Sequence, residues 1–258
     1  MDCAPNKIYH KHDFDSRAHL ETYCSEKSGN AFSDDAMKFP MMNFHHMFSS
    51  GFVKGDVLVD LSMGSLIHHL YSASNVFKDI IILKLNEKCN METSRWKEAH
   101  TGAFNWKHIS AIATTLDRKS SEILDMTLKS AIKHIIPCDF ENENITHPVV
   151  LPLADCITSL WLIDIMSKDG DDYTRNLEKI SKRLRPGGHL ILVAALDMSY
   201  FMVGTERMHA FKCDEGFVKN SLQNLGFVIE YCAVQRRKTQ NTLTDYKAMI
   251  FITACKTK

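Results

Sequence analysis

The 258-residue chain carries no excess of either charge sign. Lys and Arg total 31, Asp and Glu total 31, and the balance holds along the length, with 15 basic against 16 acidic residues over positions 1–129 and 16 against 15 thereafter. Neither half offers the basic field on which a binder of nucleic acid or of anionic membranes relies. Long apolar runs are missing as well. The longest, Leu190 to Leu196, has seven residues, whereas a membrane-spanning helix needs about 20, and Met1 to Lys7 lacks the apolar stretch of a secretory signal. Eight cysteines (3, 24, 89, 138, 156, 213, 232 and 255) stand singly without a C-x-x-C pair, and so read as reduced cytoplasmic thiols rather than a disulfide framework. The 13 histidines include His45-His46 and His68-His69. Adjacent side chains diverge on a helix or strand, and no H-E-x-x-H or finger spacing occurs, so no metal site is expected. Internal repeats and low-complexity segments are absent.

What is present is an ordinary globular mix, 45% hydrophobic and 24% charged, in a length that suits one domain with additions. Ser16 is placed to cap a helix through Tyr23, and Ser33-Asp34-Asp35 to cap another in which Met37, Met41, Phe44 and Phe48 recur at i, i+4, i+7 and i+11. That stripe reads as packing rather than a cofactor box. From Asp56 the pattern changes. Val57 to Leu61 is a short strand leading through Ser62-Met63-Gly64-Ser65 into a helical stretch, Leu66 to Tyr71. Ile80 to Leu85 is a second strand, followed by a helix over Cys89 to Ala99. A helix from Ser120 to Ala131 precedes a third strand at Ile135 to Asp139. Ala154 to Trp161 is a fourth, and Asp171 to Leu184 is a helix with Tyr173, Leu177, Ile180 and Leu184 on one face. Arg185-Pro186-Gly187-Gly188-His189 stops that helix and turns into Leu190 to Ala195, an unbroken apolar run that suits a strand covered on both faces. A helix from Asp214 to Leu225 and two late strands, Phe227 to Val234 and Tyr246 to Cys255, complete the order.

This alternation predicts an α/β fold, a doubly wound and mostly parallel seven-stranded sheet closed by an antiparallel pair. Residues 1–55 are expected as an N-terminal helical cap and residues 56–258 as a Rossmann-like domain. Ligands of such sheets bind beyond the carboxyl ends of the strands, which directs attention to residues 62–65, 84–87, 139–141, 160–163 and 194–198.

In that order the residues resemble a known family. Asp60-Leu61-Ser62-Met63-Gly64 after the first strand, Cys138-Asp139 after the third, Leu153-Ala154-Asp155-Cys156 opening the fourth and Leu184-Arg185-Pro186-Gly187-Gly188 before the fifth are similar to class I S-adenosylmethionine-dependent methyltransferases. The likeness is to the nicotinamide, phenylethanolamine and indolethylamine N-methyltransferases in particular. Phe14-Asp15-Ser16-Arg17, Val53-Lys54-Gly55-Asp56, Gly102 to Trp106 and Ser199 to Gly204 extend it from about Tyr9 to Lys256. The resemblance implies that Tyr23, Ser62, Met63, Gly64, Lys84, Asp139, Phe140 and Leu160 bind S-adenosylmethionine, with Asp139 toward the adenine amino group and Phe140 over the ring. It places a small-molecule acceptor near His19, Trp161, Asp164, Asp197 and Tyr200.

The chain departs from the family at several of these places. The family's Gly-Ser-Gly turn is Ser62-Met63-Gly64, its ribose-edge Asn is Cys89, and its acidic residue after the fifth strand is Ala194. The carboxylate that accepts from both ribose hydroxyls is replaced by Lys84, which can only donate. Lys84 is thereby expected at the ribose edge, where an aspartate in its place would restore the acceptor. Two functions follow. One is an S-adenosylmethionine-dependent N-methyltransferase acting on an amine or pyridine-like nitrogen, in which the activated sulfonium leaves the protein mainly to position the acceptor. The other is a catalytically silent relative that keeps the fold as a binding or interaction protein, which the altered turn and Lys84 favour. Gly64 and Asp139 persist, and the enzyme is the reading adopted. A nicotinamide-dependent oxidoreductase would need G-x-G-x-x-G, and Asp60 to His69 holds a single glycine. A cytoplasmic monomer with no nucleic-acid or membrane partner is expected.

Overall fold

The computed structural model describes residues 6–26, 33–238 and 241–257; Cys3 and the start of the chain lie outside them. The β-branched run after Asp56 forms β1 (Val57–Asp60), and Leu58, Val59 and Asp60 are all buried. It pairs in parallel with β2 (Asp79–Lys84) on one side and β4 (Ala154–Leu160) on the other. β3 (Ile132–Pro137) adds outside β2, and β5 (Leu184–Leu196) outside β4. β9 (Ala248–Lys256) runs antiparallel to β5, and β8 (Phe227–Arg236) antiparallel to β9. The order β3-β2-β1-β4-β5-β9-β8 is the expected doubly wound sheet with an antiparallel close. Its strand order reverses between β1 and β4, and the crevice above that point is where such sheets hold ligands.

Side chains from several elements lock β1 in the middle. Asp155 at the start of β4 accepts from the backbone N–H groups of Asp56 (2.6 Å) and Val57 (2.8 Å) through Oδ2, and pairs with Arg185 through Oδ1 at 2.6 Å. Gly55 is required there, because a Cβ would overlap the Asp155 side chain. The stripe Met37, Met41, Phe44 and Phe48 is buried, Met37 on a π-helical turn, Ser33–Lys38, and the others on the helix Phe39–Ser49. Phe44 meets Phe251 of β9 edge-on at 5.1 Å, and Phe48 meets Phe77 at 5.7 Å. In the helix Gly170–Ser181, Tyr173, Leu177 and Ile180 are wholly buried, and each such side chain contributes roughly 1.5 to 3 kcal/mol.

Local structure departs from the sequence reading where tertiary contacts win. The first helix, Ser16–Tyr23, is capped by Asp15, whose Oδ1 accepts from Ala18 N at 2.8 Å, while Ser16 turns inward to meet Ser65 Oγ at 2.6 Å. After β1 the chain is helical only over Leu70–Ala73, because Gly64 is left-handed (φ +57°) and the His69 ring is drawn back onto Asp60. The Pro-Gly-Gly stretch belongs to β5 itself, accommodated by a register shift against β4. A helix at Lys107–Asp117 and a separate hairpin, β6 (Tyr200–Val203) with β7 (Glu206–His209), carry no sequence signal.

Candidate functional site

β1 ends on Asp60, and what this carboxylate holds organises the floor of the crevice. Its Oδ1 accepts from Ser62 Oγ (2.7 Å) and Thr158 Oγ1 (2.8 Å) and lies 2.7 Å from His69 Nε2. Asp60 stands beside Ile82 in the β1–β2 register. Side chains two apart on a strand share a face, so Lys84 projects to the same side. The Lys84 ammonium, fully buried, donates to the Ser62 carbonyl at 3.1 Å and stands 3.9 Å from Asp60 Oδ2. Burial by itself would raise the Asp60 pKa, but His69, Lys84 and Ser62 outweigh it and hold the group down at about 2. Burial lowers the Lys84 pKa, opposed by Asp60. The ammonium expected at the ribose edge is thus turned inward.

Above this floor lies an apolar pocket with about 60 Å³ of open space, walled by His19, Tyr23, Met63, Trp161, Phe201 and Met249 among others. Burial first, then the charge of Lys84, pushes the His19 pKa down to about 3, so its imidazole is neutral at physiological pH. Trp161 adopts φ +49°, a left-handed conformation that a bulky residue keeps only when its surroundings impose it. Its ring stacks on His68 at 6.3 Å, and His68 stacks on Trp106 at the same distance. The Tyr23 hydroxyl donates to Met202 O at 2.8 Å and accepts from Met202 N at 3.2 Å, tying the helix Ser16–Tyr23 to the hairpin.

Of the residues singled out from sequence, His19, Tyr23, Met63 and Trp161 therefore meet on one pocket, with Gly64 under His19. Ser62 and Leu160 are buried beneath. Asp164 is buried behind the pocket wall: Oδ2 is 3.5 Å from the N–H of the wall residue Ala195, Oδ1 has no partner, and burial pushes its pKa up to about 7. Phe140 lies instead in a polar cleft of about 240 Å³ with His10, Lys11, Arg175 and Lys179. Asp139 is exposed and caps its own loop, accepting from Glu141 N (2.9 Å) and Asn142 Nδ2 (3.2 Å). Tyr200 donates to Thr242 O at 3.1 Å under the Arg207 guanidinium, and Asp197, at φ +56°, gives its N–H to Cys213 O. Asp139, Asp197 and Tyr200 are not among the residues that wall the apolar pocket. Among the described residues, the His, Cys and carboxylate group close enough to share an ion is His189, Glu230 and Cys255, toward the amino end of β5, where His189 and Glu230 already pair at 3.1 Å. Sequence reasoning missed Tyr9, whose hydroxyl accepts from Gly64 N at 3.0 Å. It begins the stretch of family resemblance, but no motif marks it.

In this conformation S-adenosylmethionine does not fit over the turn after β1. A Cβ built on Gly64 would come within 2.9 Å of His19 Nδ1 and 3.6 Å of Phe14, so no space stands over the turn. The Gly64 N–H, the kind of group with which such turns hold a ligand, is already taken.

The comparisons with known proteins agree with the topology. The family model described as NNMT/PNMT/TEMT family matches residues 3–257. Indolethylamine N-methyltransferase of Mus musculus is 27% identical over 246 residues, covering 95% of this chain and 93% of that protein. Nicotinamide N-methyltransferase of Homo sapiens is 27% identical over 245 residues, covering 94% and 93%. Among solved structures, the N-methyltransferase NodS from Bradyrhizobium japonicum in complex with S-adenosylhomocysteine superposes with a TM-score of 0.55 at 10% identity, covering 95% of this chain and all of that one, a likeness of fold. With a central β1, the strand order of the sheet and a family match across nearly the whole length, the chain belongs to the NNMT/PNMT/TEMT family of S-adenosylmethionine-dependent small-molecule N-methyltransferases.

Proposed function

We propose that the chain transfers a methyl group from S-adenosylmethionine to an amine or pyridine-like nitrogen of a small molecule, and that Asp164 serves the acceptor. The observation that carries the acceptor assignment is the Asp164 carboxyl itself, 1% exposed, with one oxygen unpartnered and its pKa pushed up to about 7 by burial, immediately behind Ala195 of the pocket wall. A carboxyl poised there can hold a cationic amine when ionised, or take the proton an amine must shed before its lone pair is free. The apolar walls, Trp161 and the neutral His19 among them, suit a flat ring and exclude water. Asp197 and Tyr200, on the loop after β5 and on β6, would reach the acceptor only from the rim. A monomer working in the cytoplasm accords with the balanced charge and with seven described cysteines all unpaired; sedimentation equilibrium tests the oligomeric part.

The test is acceptor binding and turnover against pH, with nicotinamide and phenylethylamine as probes. Asp164→Asn should weaken amine binding by about tenfold, the order of one charge-assisted hydrogen bond, and flatten a profile that in the native protein turns near pH 7. An unaltered profile in the variant removes Asp164 from the acceptor site.

A further inference from the structure

We propose that Tyr9 is the chain's own occupant of the methyl-donor site and that the donor binds by displacing it. The inference rests on the methyltransferase reading and deepens it. Tyr9 is 1% exposed. Its hydroxyl accepts from Gly64 N at 3.0 Å and stands 3.6 Å from Cys89 Sγ, so the phenol spans from the turn after β1 to the helix Glu87–Lys97 that follows β2. These are the two strand ends that face a ligand on one side of the switch point. A buried phenol needs partners for its hydroxyl, and here it uses the backbone donor of the turn and a thiol, which is a weak partner. A ligand oxygen can replace it at Gly64 on equal terms.

Tyr9 does not act alone. Phe14 stands edge-on to it at 4.6 Å, His19 lies 5.4 Å from Phe14, and Tyr23 lies 5.2 Å from His19. This row of rings runs from the turn to the hairpin and fills the crevice over Gly64. The row is attached in a way that permits movement. Lys7 is bonded to the hairpin through Lys7 N to Arg207 O (2.9 Å) and His209 N to Lys7 O (2.7 Å), and Tyr23 is bonded to it through Met202. Between these pins, residues 8–15 form only a turn, tied down by an exposed ion pair of Asp13 with Lys88 at 2.8 Å, which contributes little at a solvated surface, and Ser16 is held to Ser65 by one hydroxyl contact of 2.6 Å. The segment can lift as a flap without releasing its ends.

Titration of the full-length protein with S-adenosylhomocysteine by calorimetry tests this. An occupant that must be expelled multiplies the apparent dissociation constant by the ratio of filled to vacated forms. Tyr9→Ala is therefore expected to bind at least about tenfold more tightly than the native protein. Tyr9→Phe, which frees the Gly64 N–H but keeps the ring, is expected to stay within about threefold of native. If Tyr9→Ala binds no more tightly than a native protein that does bind, Tyr9 is not the occupant, and the methyltransferase reading stands. If neither binds at millimolar ligand, with both folded by thermal denaturation, the donor reading fails and this proposal with it. Should Tyr9→Ala not fold, the native protein decides the matter by stopped-flow fluorescence, since Trp161 lines the pocket. Binding limited by expulsion gives a rate that levels off with ligand concentration, and a rate that rises linearly throughout overturns the proposal.

Discussion

Replacing Lys84 with aspartate is the sharpest test of how the floor of the crevice is built. The substitution puts a second carboxylate beside Asp60 where both side chains are fully buried and the ammonium stood 3.9 Å from Asp60 Oδ2. Removing one partner of a buried pair costs about 3 to 5 kcal/mol, because the remaining charge is left uncompensated. Asp60 keeps Ser62, Thr158 and His69, so Lys84→Met is expected at the lower end, about 3 kcal/mol. Lys84→Asp adds like-charge repulsion and is expected at about 5 kcal/mol. In a domain of this size each kcal/mol lowers Tm by about 2 to 4 °C, so the aspartate variant should melt at least about 10 °C below native. One of its two carboxyls then keeps a proton, with a folded pKa raised above the usual value of about 3.9. Stability that depends on such a proton is complete below the unfolded pKa and is lost as pH rises through the folded one. The deficit should accordingly shrink between pH 7 and pH 5, a range in which native Asp60, held at about 2, does not titrate. Urea unfolding at several pH values measures it. A Lys84→Asp protein within about 1 kcal/mol of native at pH 7, or a deficit that ignores pH, refutes the account of a buried pair. No tightening of S-adenosylhomocysteine binding is expected in this variant, contrary to the expectation from sequence, because the side chain is turned inward onto Asp60 and the Ser62 carbonyl.

Other outcomes follow from the same geometry. Asp60, with its folded pKa depressed to about 2, contributes about 2 to 3 kcal/mol that is present above the unfolded value of roughly 3.9 and lost as pH falls through 4 toward 2; circular dichroism of Asp60→Asn should show a weaker protein whose acid unfolding lacks that component. Gly55→Ala forces a methyl group into Asp155 and should cost about 1 to 3 kcal/mol in urea unfolding, and equal stability would mean that the β1 entry is less closely packed than described. Asp35 is wholly buried and accepts from Tyr246 Oη (2.7 Å), Gln235 Nε2 (2.8 Å) and Lys238 N (2.9 Å); Asp35→Ala should lose about 3 kcal/mol by denaturant titration, since three donors, one of them buried, lose this acceptor.

The sheet was legible because its central strands are buried on both faces, and continuous apolar runs such as Leu190 to Leu196 have few alternatives. The helix Lys107–Asp117 was not, since its start at Trp106 has no side-chain cap to announce it. The hairpin strands span four residues each, too few for a period to emerge. At the site, residue types were easier to read than directions. Lys84 closes β2, and sequence alone aims such a side chain at the ligand; its partner Asp60 appears only when β1 and β2 are set in register. Tyr9 is harder still, because its contacts reach Gly64 and Cys89, 55 and 80 positions away.

The hairpin after β5 has a consequence for kinetic order. Its Met202 pairs with Arg207 across the same ribbon that anchors Lys7 and Tyr23, and its Phe201 also walls the pocket. One small ribbon thus touches both the row of rings over the donor turn and the chamber assigned to the acceptor. Ligands that share a wall cannot have independent affinities, and whatever factor one imposes on the other must be returned in full. Steady-state measurements on this protein should therefore show intersecting initial-rate lines with a marked preference for one order of addition, and the affinity of either ligand measured alone will misstate its affinity in the ternary complex.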